Sequence, residues 1–207
     1  MRPDLDVVAS LVPSGSRVLD LGCGEGDLLS ALIKDRGCTG TGVELRDDAV
    51  LRAVRKGVPV IEVDIDTELG EFADASYDVV VLSRTLQALH RPADVLAEIR
   101  RIGAYCIVSV PNFGLWKHRL SLLVRGRMPV SKELPYPWFE TPNIHLSTLA
   151  DLEDLFANIG LRVERRLLLD EQNRLLAERN RLRAGWLLPA DRWANARAGA
   201  AVYLLSR

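Results

Sequence analysis

The chain has 207 residues, of which 48% are hydrophobic and 27% are charged, and its formal net charge at pH 7 is −1. This composition excludes a disordered chain, and the charge excludes a general attraction to nucleic acid or anionic lipid. Three cysteines and three histidines, without the spacing of a disulfide framework or a metal centre, predict free thiols and no metal. With no signal-peptide pattern and no apolar run of membrane-spanning length, we expect a cytoplasmic protein without a membrane partner.

Short apolar runs alternate with amphipathic segments along most of the chain. The segments predicted as strands are 16–21, 40–45, 58–64, 77–83, 104–110, 161–169 and 200–207. The predicted helices cover 27–35, 46–56 and 92–102, and a further helix begins at Thr148, where Asp151 completes a capping box. Several strands are apolar at consecutive positions, as expected when helices cover both faces of a sheet. The pattern therefore predicts an α/β fold around a mainly parallel sheet.

Two segments interrupt this alternation. Residues 112–147 contain four prolines and two tryptophans and have no regular period, which is typical of a cap over the edge of a sheet. Residues 171–197 are rich in arginine, and we predict a helical insertion there. We interpret residues 1–207 as a single domain that carries both insertions.

The stretch VLDLGCGEGDLL, residues 18–29, places a glycine-rich turn between the first strand and the first helix. The amides of such a turn bind electronegative ligand groups. Three acids each lie at the end of a predicted strand, about twenty residues apart: Asp20, Glu44 and Asp64. Because ligands of open α/β sheets bind at the carboxyl ends of the strands, we expect these carboxylates to converge beside the turn.

Carboxylates beside a glycine turn suit a nucleoside that carries positive charge. S-adenosylmethionine offers a sulfonium, an amino group, ribose hydroxyls and an adenine amine, all of which interact favourably with carboxylates. A dinucleotide remains an alternative, but Asp27 takes the place of the last glycine of G-x-G-x-x-G, and acids at Asp20, Glu25 and Asp27 would repel a diphosphate. A P-loop is excluded because no G-K-[S/T] is present.

The motifs narrow this interpretation to one fold family. VLDLGCGEG resembles the first motif of class I S-adenosylmethionine-dependent methyltransferases, and GVEL, VIEVDID and SYDVVVLSRTLQAL resemble the following ones. The resemblance implies a Rossmann-like, doubly wound, mainly parallel seven-stranded sheet with an antiparallel C-terminal strand. It also implies that Glu44 holds the ribose hydroxyls, that Asp64 and Ile65 meet the adenine, and that Ser83 and its neighbours meet the methionine end. The implied cofactor-binding residues are Asp20, Gly22, Cys23, Gly24, Gly26, Glu44, Leu45, Asp64, Ile65 and Ser83.

Sequence motifs in the cap segment resemble those of a more specific family. RGRMPV and LPYPWFETPNIHLST, within residues 125–148, and PNFGLWKHRL before them resemble the methionine biosynthesis family MetW, a match that extends over nearly the whole chain. That family is methyltransferase-like and is associated with a homoserine O-acyltransferase, MetX. The resemblance implies a protein that binds S-adenosylmethionine and acts with or supports MetX. An active methyltransferase on a small carboxylate metabolite is the alternative.

Residues for catalysis and for substrate are less well defined. Methyl transfer to a weak nucleophile needs a base, and His145 is the candidate because it precedes the helix at Thr148, near the expected substrate edge. Residues 112–132 carry five cations and no acid, which fits a carboxylate substrate, an acidic partner or a solvated surface equally. The candidate substrate or partner residues are Asn112, Trp116, Lys117, Arg125, Arg127 and His145. Trp116, Tyr136 and Trp138 could line a pocket or form a small apolar core beneath the cap, and we favour the core.

Two further enzyme classes receive little support. An amino-methylating nucleic-acid enzyme needs an N-P-P-Y type motif after the fourth strand, where this chain has LSRTL, and the Pro-Cys of cytosine C5 enzymes is absent. We therefore expect no nucleic-acid partner. An NAD-dependent oxidoreductase is disfavoured by the glycine spacing.

Overall fold

The computed structural model describes residues 2–182 and 189–207. Its strands are β1 Arg17–Leu21, β2 Thr39–Val43, β3 Val60–Ile61, β4 Tyr77–Ser83, β5 Gly103–Pro111, β6 Arg162–Leu169, β7 Leu175–Leu182 and β8 Ala200–Ser206. Its α-helices are α1 Pro3–Leu11, α2 Asp27–Arg36, α3 Asp47–Arg55, α4 Pro92–Ile102, α5 Trp116–Leu120, α6 Leu149–Asn158 and α7 Pro189–Arg197. Short 3-10 turns cover Leu69–Glu71 and Leu86–Ala88, and a π-helical turn, Ser121–Arg125, follows α5.

The strands form one sheet in the order β3-β2-β1-β4-β5-β8-β6-β7. The first five strands are parallel, and β8 runs antiparallel between β5 and β6. In the register of the central strands, Asp20 lies opposite Gly42 on one side and Val81 on the other. The carboxyl ends of β1, β2 and β4 therefore meet at one edge, as the sequence predicted. The α/β class, the doubly wound sheet and the antiparallel C-terminal strand are confirmed.

Apolar side chains cover both faces of this sheet. On β1, Leu19 faces a cluster with helices α4 and α6, whereas Val18 faces a cluster with α1 and α2. The alternation repeats on β4, where Val80 and Val81 belong to opposite clusters. Consecutive apolar residues in these strands are thus explained by burial on both sides.

The sheet has eight strands within the described residues, one more than predicted. The extra strand, β7, lies inside the segment 171–197 that was predicted to be helical, and that prediction is wrong for residues 175–182. A turn causes the difference: the Asp170 carboxylate accepts hydrogen bonds from the backbone N–H groups of Gln172 and Arg174, and Asn173 adopts φ +61°, which folds β7 back onto β6. Helix α7 follows, and residues 183–188 of the predicted insertion lie outside the described residues.

Smaller differences concern the strand predicted at 58–64 and the cap. Only Val60–Ile61 is strand, because Pro59 precedes it and the chain turns at Asp64, whose carboxylate accepts from the Asp66 backbone N–H at 2.9 Å. The cap contains helix α5 and its π-helical extension, and α1 was not predicted. Across residues 2–182 and 189–207, no helix is both long and apolar enough to cross a membrane.

A buried ion pair fastens α6 to the antiparallel part of the sheet. Arg166 on β6 is almost completely buried, and its Nη1 donates to Glu153 Oε1 on α6 at 2.7 Å. The Tyr203 hydroxyl on β8 donates to the same oxygen at 3.1 Å. Glu153 therefore balances a charge that has little access to water.

We expect Glu153→Ala to lower the free energy of unfolding by about 3 kcal/mol, because the buried guanidinium loses this carboxylate. Urea denaturation monitored by circular dichroism measures the change. Asp154→Ala removes the exposed neighbouring acid and is the matched control, with an expected change within about 0.5 kcal/mol. Equal effects of the two substitutions would contradict a structural role of the pair.

Candidate functional site

The glycine turn after β1 is fixed to the end of β2 by backbone hydrogen bonds. The N–H groups of Gly22 and Cys23 both donate to the Val43 carbonyl, at 2.8 and 2.9 Å. Gly22 has φ +76°, and a Cβ at this position would lie 2.6 Å from Thr85 Oγ1. The Thr85 hydroxyl donates to the Leu21 carbonyl, so it cannot easily move away. Only glycine fits at position 22.

Gly24, at the tip of the turn, has a different environment. It also has a positive φ, +56°, but no atom lies within 4 Å of the position that a Cβ would take. Its backbone N–H donates to Glu44 Oε2 at 2.9 Å. The turn therefore presents bare backbone to open space, directly beside a carboxylate.

Glu44 is held in place by the backbone on both sides of the cleft. Its Oε1 accepts from the Arg46 backbone N–H at 3.0 Å, and its side chain is 11% exposed. The Glu44 N–H donates to the Ile61 carbonyl, which ties this residue to β3. Oε1 also accepts from Arg46 Nε at 3.4 Å, and since a carboxylate has about four acceptor positions, these three contacts still leave capacity for a ligand hydroxyl.

Asp20 lies buried behind the turn, and its environment strongly disfavours ionisation. Burial raises the pKa of Asp20 to about 7, Arg2 opposes the shift, and the charge of Glu44 adds to it. Burial together with the charges of Asp20 and Glu44 also raises the pKa of the Cys23 thiol to about 12. Both pKa shifts arise mainly from exclusion of water, and the neighbouring carboxylates add to them.

The remaining residues predicted for the adenosine part lie at the same edge. Asp64 follows β3 by three residues, Ile65 beside it is buried, and Leu45 is half-exposed next to Glu44. The structure thus brings the predicted residues of the first three strand ends to one edge. Their roles in cofactor binding remain predictions.

Two acids of the glycine turn form ion pairs with cations of helix α3 or of the residue after it. Glu25 is paired with Arg52 at 3.0 Å, and Asp27 is paired with Lys56 at 2.5 Å, both on or next to helix α3. These cations, of which Arg52 also pairs with Asp48, offset only part of the negative charge from which we expect repulsion of a diphosphate. The remaining electrostatic argument rests on Asp20 and Glu44.

Arg84 is a central residue that the sequence did not reveal. It follows Ser83, the last residue of β4, and adopts φ +57°. Its guanidinium donates to Asp4 Oδ2 at 3.0 Å, to Glu133 Oε2 at 2.8 Å and to Asn173 Oδ1 at 3.2 Å. Asp4 and Glu133 are both nearly inaccessible to water. One side chain thus joins α1, the cap and the β6–β7 turn around the end of β4.

Ser83, predicted to meet the methionine end, contacts the N-terminal segment. Its hydroxyl accepts from Arg2 Nη2 at 3.1 Å, and Arg2 also approaches Asp4. The Arg2 guanidinium therefore lies close enough to influence Asp20 as well. No sequence motif distinguishes Arg2 or Arg84 from the other arginines, since what matters is the position of each at the strand ends.

The cap brings His145 to the predicted edge. Its backbone N–H donates to the Gln87 carbonyl, just beyond β4, at 3.0 Å, and its side chain is exposed. Asn112 is completely buried, and its amide donates to the carbonyls of Asn195 and Ala198 and accepts from the Gly114 N–H. Asn112 is thus a structural group, which corrects its prediction as a contact residue.

The other predicted contact residues lie on the surface of the cap. Lys117 forms an ion pair with Glu171, and Arg125 and Arg127 are exposed. The expected apolar core beneath the cap is wrong: Trp116, Tyr136 and Trp138 are 50%, 51% and 73% exposed. The core under this edge is made by the aliphatic residues of β4, β5 and α6 instead, so these aromatic rings remain on the outside.

Comparison with known proteins places this geometry in a family. The family described as "Methionine biosynthesis protein MetW" matches residues 2–205. The "Bifunctional methionine biosynthesis protein MetXA/MetW" of Rhodopirellula baltica is 34% identical over 180 residues, which are 82% of this chain and 29% of that protein. The chain spans less than half the length of the curated relatives it matches.

Solved structures share the fold at low sequence identity. A SAM-dependent methyltransferase from Archaeoglobus fulgidus has a TM-score of 0.69 at 16% identity, covering 100% of this chain and 92% of that one. A SAM-dependent methyltransferase from Thermotoga maritima, described as a possible histamine N-methyltransferase, has a TM-score of 0.65 at 19% identity, covering 99% and 87%. The class I methyltransferase fold predicted from the motifs is thereby confirmed.

We expect the free energy of unfolding to depend on the protonation of Asp20. In the folded chain Asp20 keeps its proton up to about pH 7, whereas its ordinary pKa is 3.8, so the folded state binds more protons across this window. Stability from this group is therefore present at low pH and falls as the pH rises towards 7, by at most about 1.4 kcal/mol per pH unit.

Asp20→Asn removes this dependence and should stabilise the free protein at pH 8 relative to the wild type. Urea denaturation between pH 5 and pH 8 measures the difference. Asp35→Asn, which removes an exposed carboxyl on α2, is the control. Parallel pH profiles of wild type and Asp20→Asn would contradict the proposed environment of Asp20.

Proposed function

Since this chain belongs to the MetW family of methionine biosynthesis proteins, we propose that it binds S-adenosylmethionine and supports a homoserine O-acyltransferase of the MetX type. We propose further that residues 1–207 act as one methyltransferase-like domain in the cytoplasm. The cofactor would bind at the carboxyl edge of β1, β2 and β4. The partner would be engaged by the cap.

The proposal of a cofactor site rests on one observation: the Gly24 amide and the Glu44 carboxylate lie 2.9 Å apart beside open space. A side chain at position 24 would fill that space, so bare backbone there fits close approach of a ligand. The donor set also fits S-adenosylmethionine. Carboxylates suit its hydroxyls and its amino group, and the enclosed Glu44 carboxylate suits its positive charge.

Each part of the cofactor has a matching residue in this proposal. Glu44 would accept hydrogen bonds from the ribose hydroxyls, and Asp64 with Ile65 and Leu45 would contact the adenine. Asp20 and Ser83 lie on the side of the methionine part. When bound, S-adenosylmethionine supplies a methyl group on a positively charged sulfur.

Support for the acyltransferase partner comes from a relative and from the cap. The Rhodopirellula baltica protein is named MetXA/MetW, so its MetW-like region belongs to a longer bifunctional chain. In the present chain, residues 112–132 carry cations and exposed apolar side chains at the same edge as the cofactor site. A surface that combines exposed apolar side chains with cations suits contact with an acidic partner protein.

A second candidate function is methyl transfer to a small carboxylate. The observation that favours it is the position of His145 beside Gln87, just beyond the end of β4. The exposed cations Arg125 and Arg127 of the cap would attract a carboxylate. Orientation supplies most of the rate effect in such transfers, and His145 would remove a proton from a weak acceptor. Transfer of labelled methyl groups to a carboxylate metabolite, lost in His145→Ala, would favour this candidate.

We expect S-adenosylmethionine to bind the purified chain in isothermal titration calorimetry, and Glu44→Gln to weaken binding at least about tenfold. The amide replaces an ionised acceptor by a weaker one and presents an N–H₂ group where the Gly24 and Arg46 N–H groups donate. Glu71→Gln, an exposed glutamate of the 3-10 turn after β3, is the matched control. Absence of binding to the wild type would contradict the proposal.

We also expect homoserine acylation by the acyltransferase of the same organism to increase when this chain is added. If cofactor occupancy matters for the partner, Glu44→Gln should reduce the increase, and saturating S-adenosylmethionine should restore part of it. The acylation rate is measured with and without the chain. Identical rates in both cases would argue against a supporting role, whatever the calorimetry shows.

A further inference from the structure

The cap helix, residues 116–125, buries a single polar side chain and leaves its large apolar side chains exposed. It comprises α5 and the π-helical turn after it, and ends at Gly126 with φ +60°. Its inward residue is His118, which is buried and whose Nε2 lies 2.9 Å from Ser131 Oγ. A surface helix ordinarily buries its apolar stripe and exposes its polar face, so this arrangement leaves apolar area uncovered.

Several of the solvent-exposed residues of the cap helix are large and apolar. Leu123 is 84% exposed and Val124 is 70% exposed, and Leu120 is exposed as well. Together with Trp116, which is 50% exposed, they form a group of large apolar side chains open to solvent, as in helices that bind in a groove of a partner. Several adjacent exposed apolar side chains of this size mark an interaction surface.

The positive charge around the cap helix restricts which kind of molecule can bind there. Residues 112–132 contain five lysines and arginines and no acid. A second copy placed symmetrically on the cap helix would bring like charges together, which is unfavourable. Within the described residues, the side chains of Arg125 and Arg127 form no hydrogen bond or ion pair, so the C-terminal end of the cap helix offers positive charge to acidic groups.

The other cations argue for a protein rather than a lipid surface. Lys117 is paired with Glu171, and Arg119 Nε donates to the Gly114 carbonyl at 2.6 Å. Both are therefore held by this chain, whereas a lipid-binding helix keeps its cations free for headgroups. The cap helix presents a bare apolar stripe with positive charge at one end.

We propose that the cap helix docks into an apolar groove of the homoserine O-acyltransferase, a groove with carboxylates at one end to pair with Arg125 and Arg127. The inference rests on the proposed function for the identity of the partner, and it adds the element that binds. Leu123 and Val124 would be the central contacts, since buried apolar side chains at the centre of an interface carry most of its energy.

The test uses the full chain and the purified acyltransferase of the same organism in biolayer interferometry. We expect Leu123→Asp to weaken the complex at least about thirtyfold, because a carboxylate would enter an apolar groove beside acids. The double variant Arg125→Glu and Arg127→Glu should slow association and reduce its dependence on salt. Leu51→Asp, at a comparably exposed leucine on α3, should bind like the wild type.

The possible outcomes separate this inference from the proposed function. A wild-type complex that Leu123→Asp leaves within twofold overturns the docking inference and leaves the partnership intact. No complex with the wild type overturns both, while cofactor binding by calorimetry stands on its own. Two further measurements test other occupants: co-sedimentation with phosphatidylglycerol vesicles tests a lipid surface, and light scattering tests a dimer. If Leu123→Asp abolishes either of these but leaves the acyltransferase complex intact, the surface binds lipid or a second copy, and the inference is overturned.

Discussion

The hydrogen bond from the Gly24 amide to the Glu44 carboxylate is the contact on which the candidate site depends. It joins the turn after β1 to the end of β2, and the Val43 carbonyl reinforces the connection by accepting from Gly22 and Cys23. Because the carboxylate is largely enclosed, its charge acts on its neighbours with little screening. The raised pKa values of Asp20 and of the Cys23 thiol follow mainly from burial and partly from that charge.

Much of the fold was predictable because it follows from local patterns. Apolar runs identified the positions of seven strands, although the third is much shorter than predicted, and burial on both faces explains the consecutive apolar residues of β1, β4 and β5. The capping box at Thr148 is present as predicted, with the Asp151 carboxylate accepting from the Thr148 N–H at 2.9 Å. The convergence of Asp20 and Glu44 was predictable for a similar reason, since parallel strands of one sheet end at one edge.

The rest depends on contacts between distant parts of the chain. The segment 175–182 has residues that suit a helix, yet pairing with β6 across the Asp170–Arg174 turn makes it a strand. Likewise, the tryptophans of the cap are exposed because the aliphatic core is complete without them, which no local pattern expresses. Arg84 could not be singled out either, since its partners lie 80 and 49 residues away along the chain.

The three contacts of Arg84 constrain the order in which the protein can assemble during synthesis. Asp4 leaves the ribosome 80 residues before Arg84, and Glu133 follows 49 residues after Arg84. Asp4 is deeply buried, and its nearer cation, Arg84, is present only once β4 has been made, whereas Arg2 approaches it at 3.6 Å from an exposed position. The N-terminal helix therefore reaches its final position only after β4 has been translated, and not when α1 itself is made.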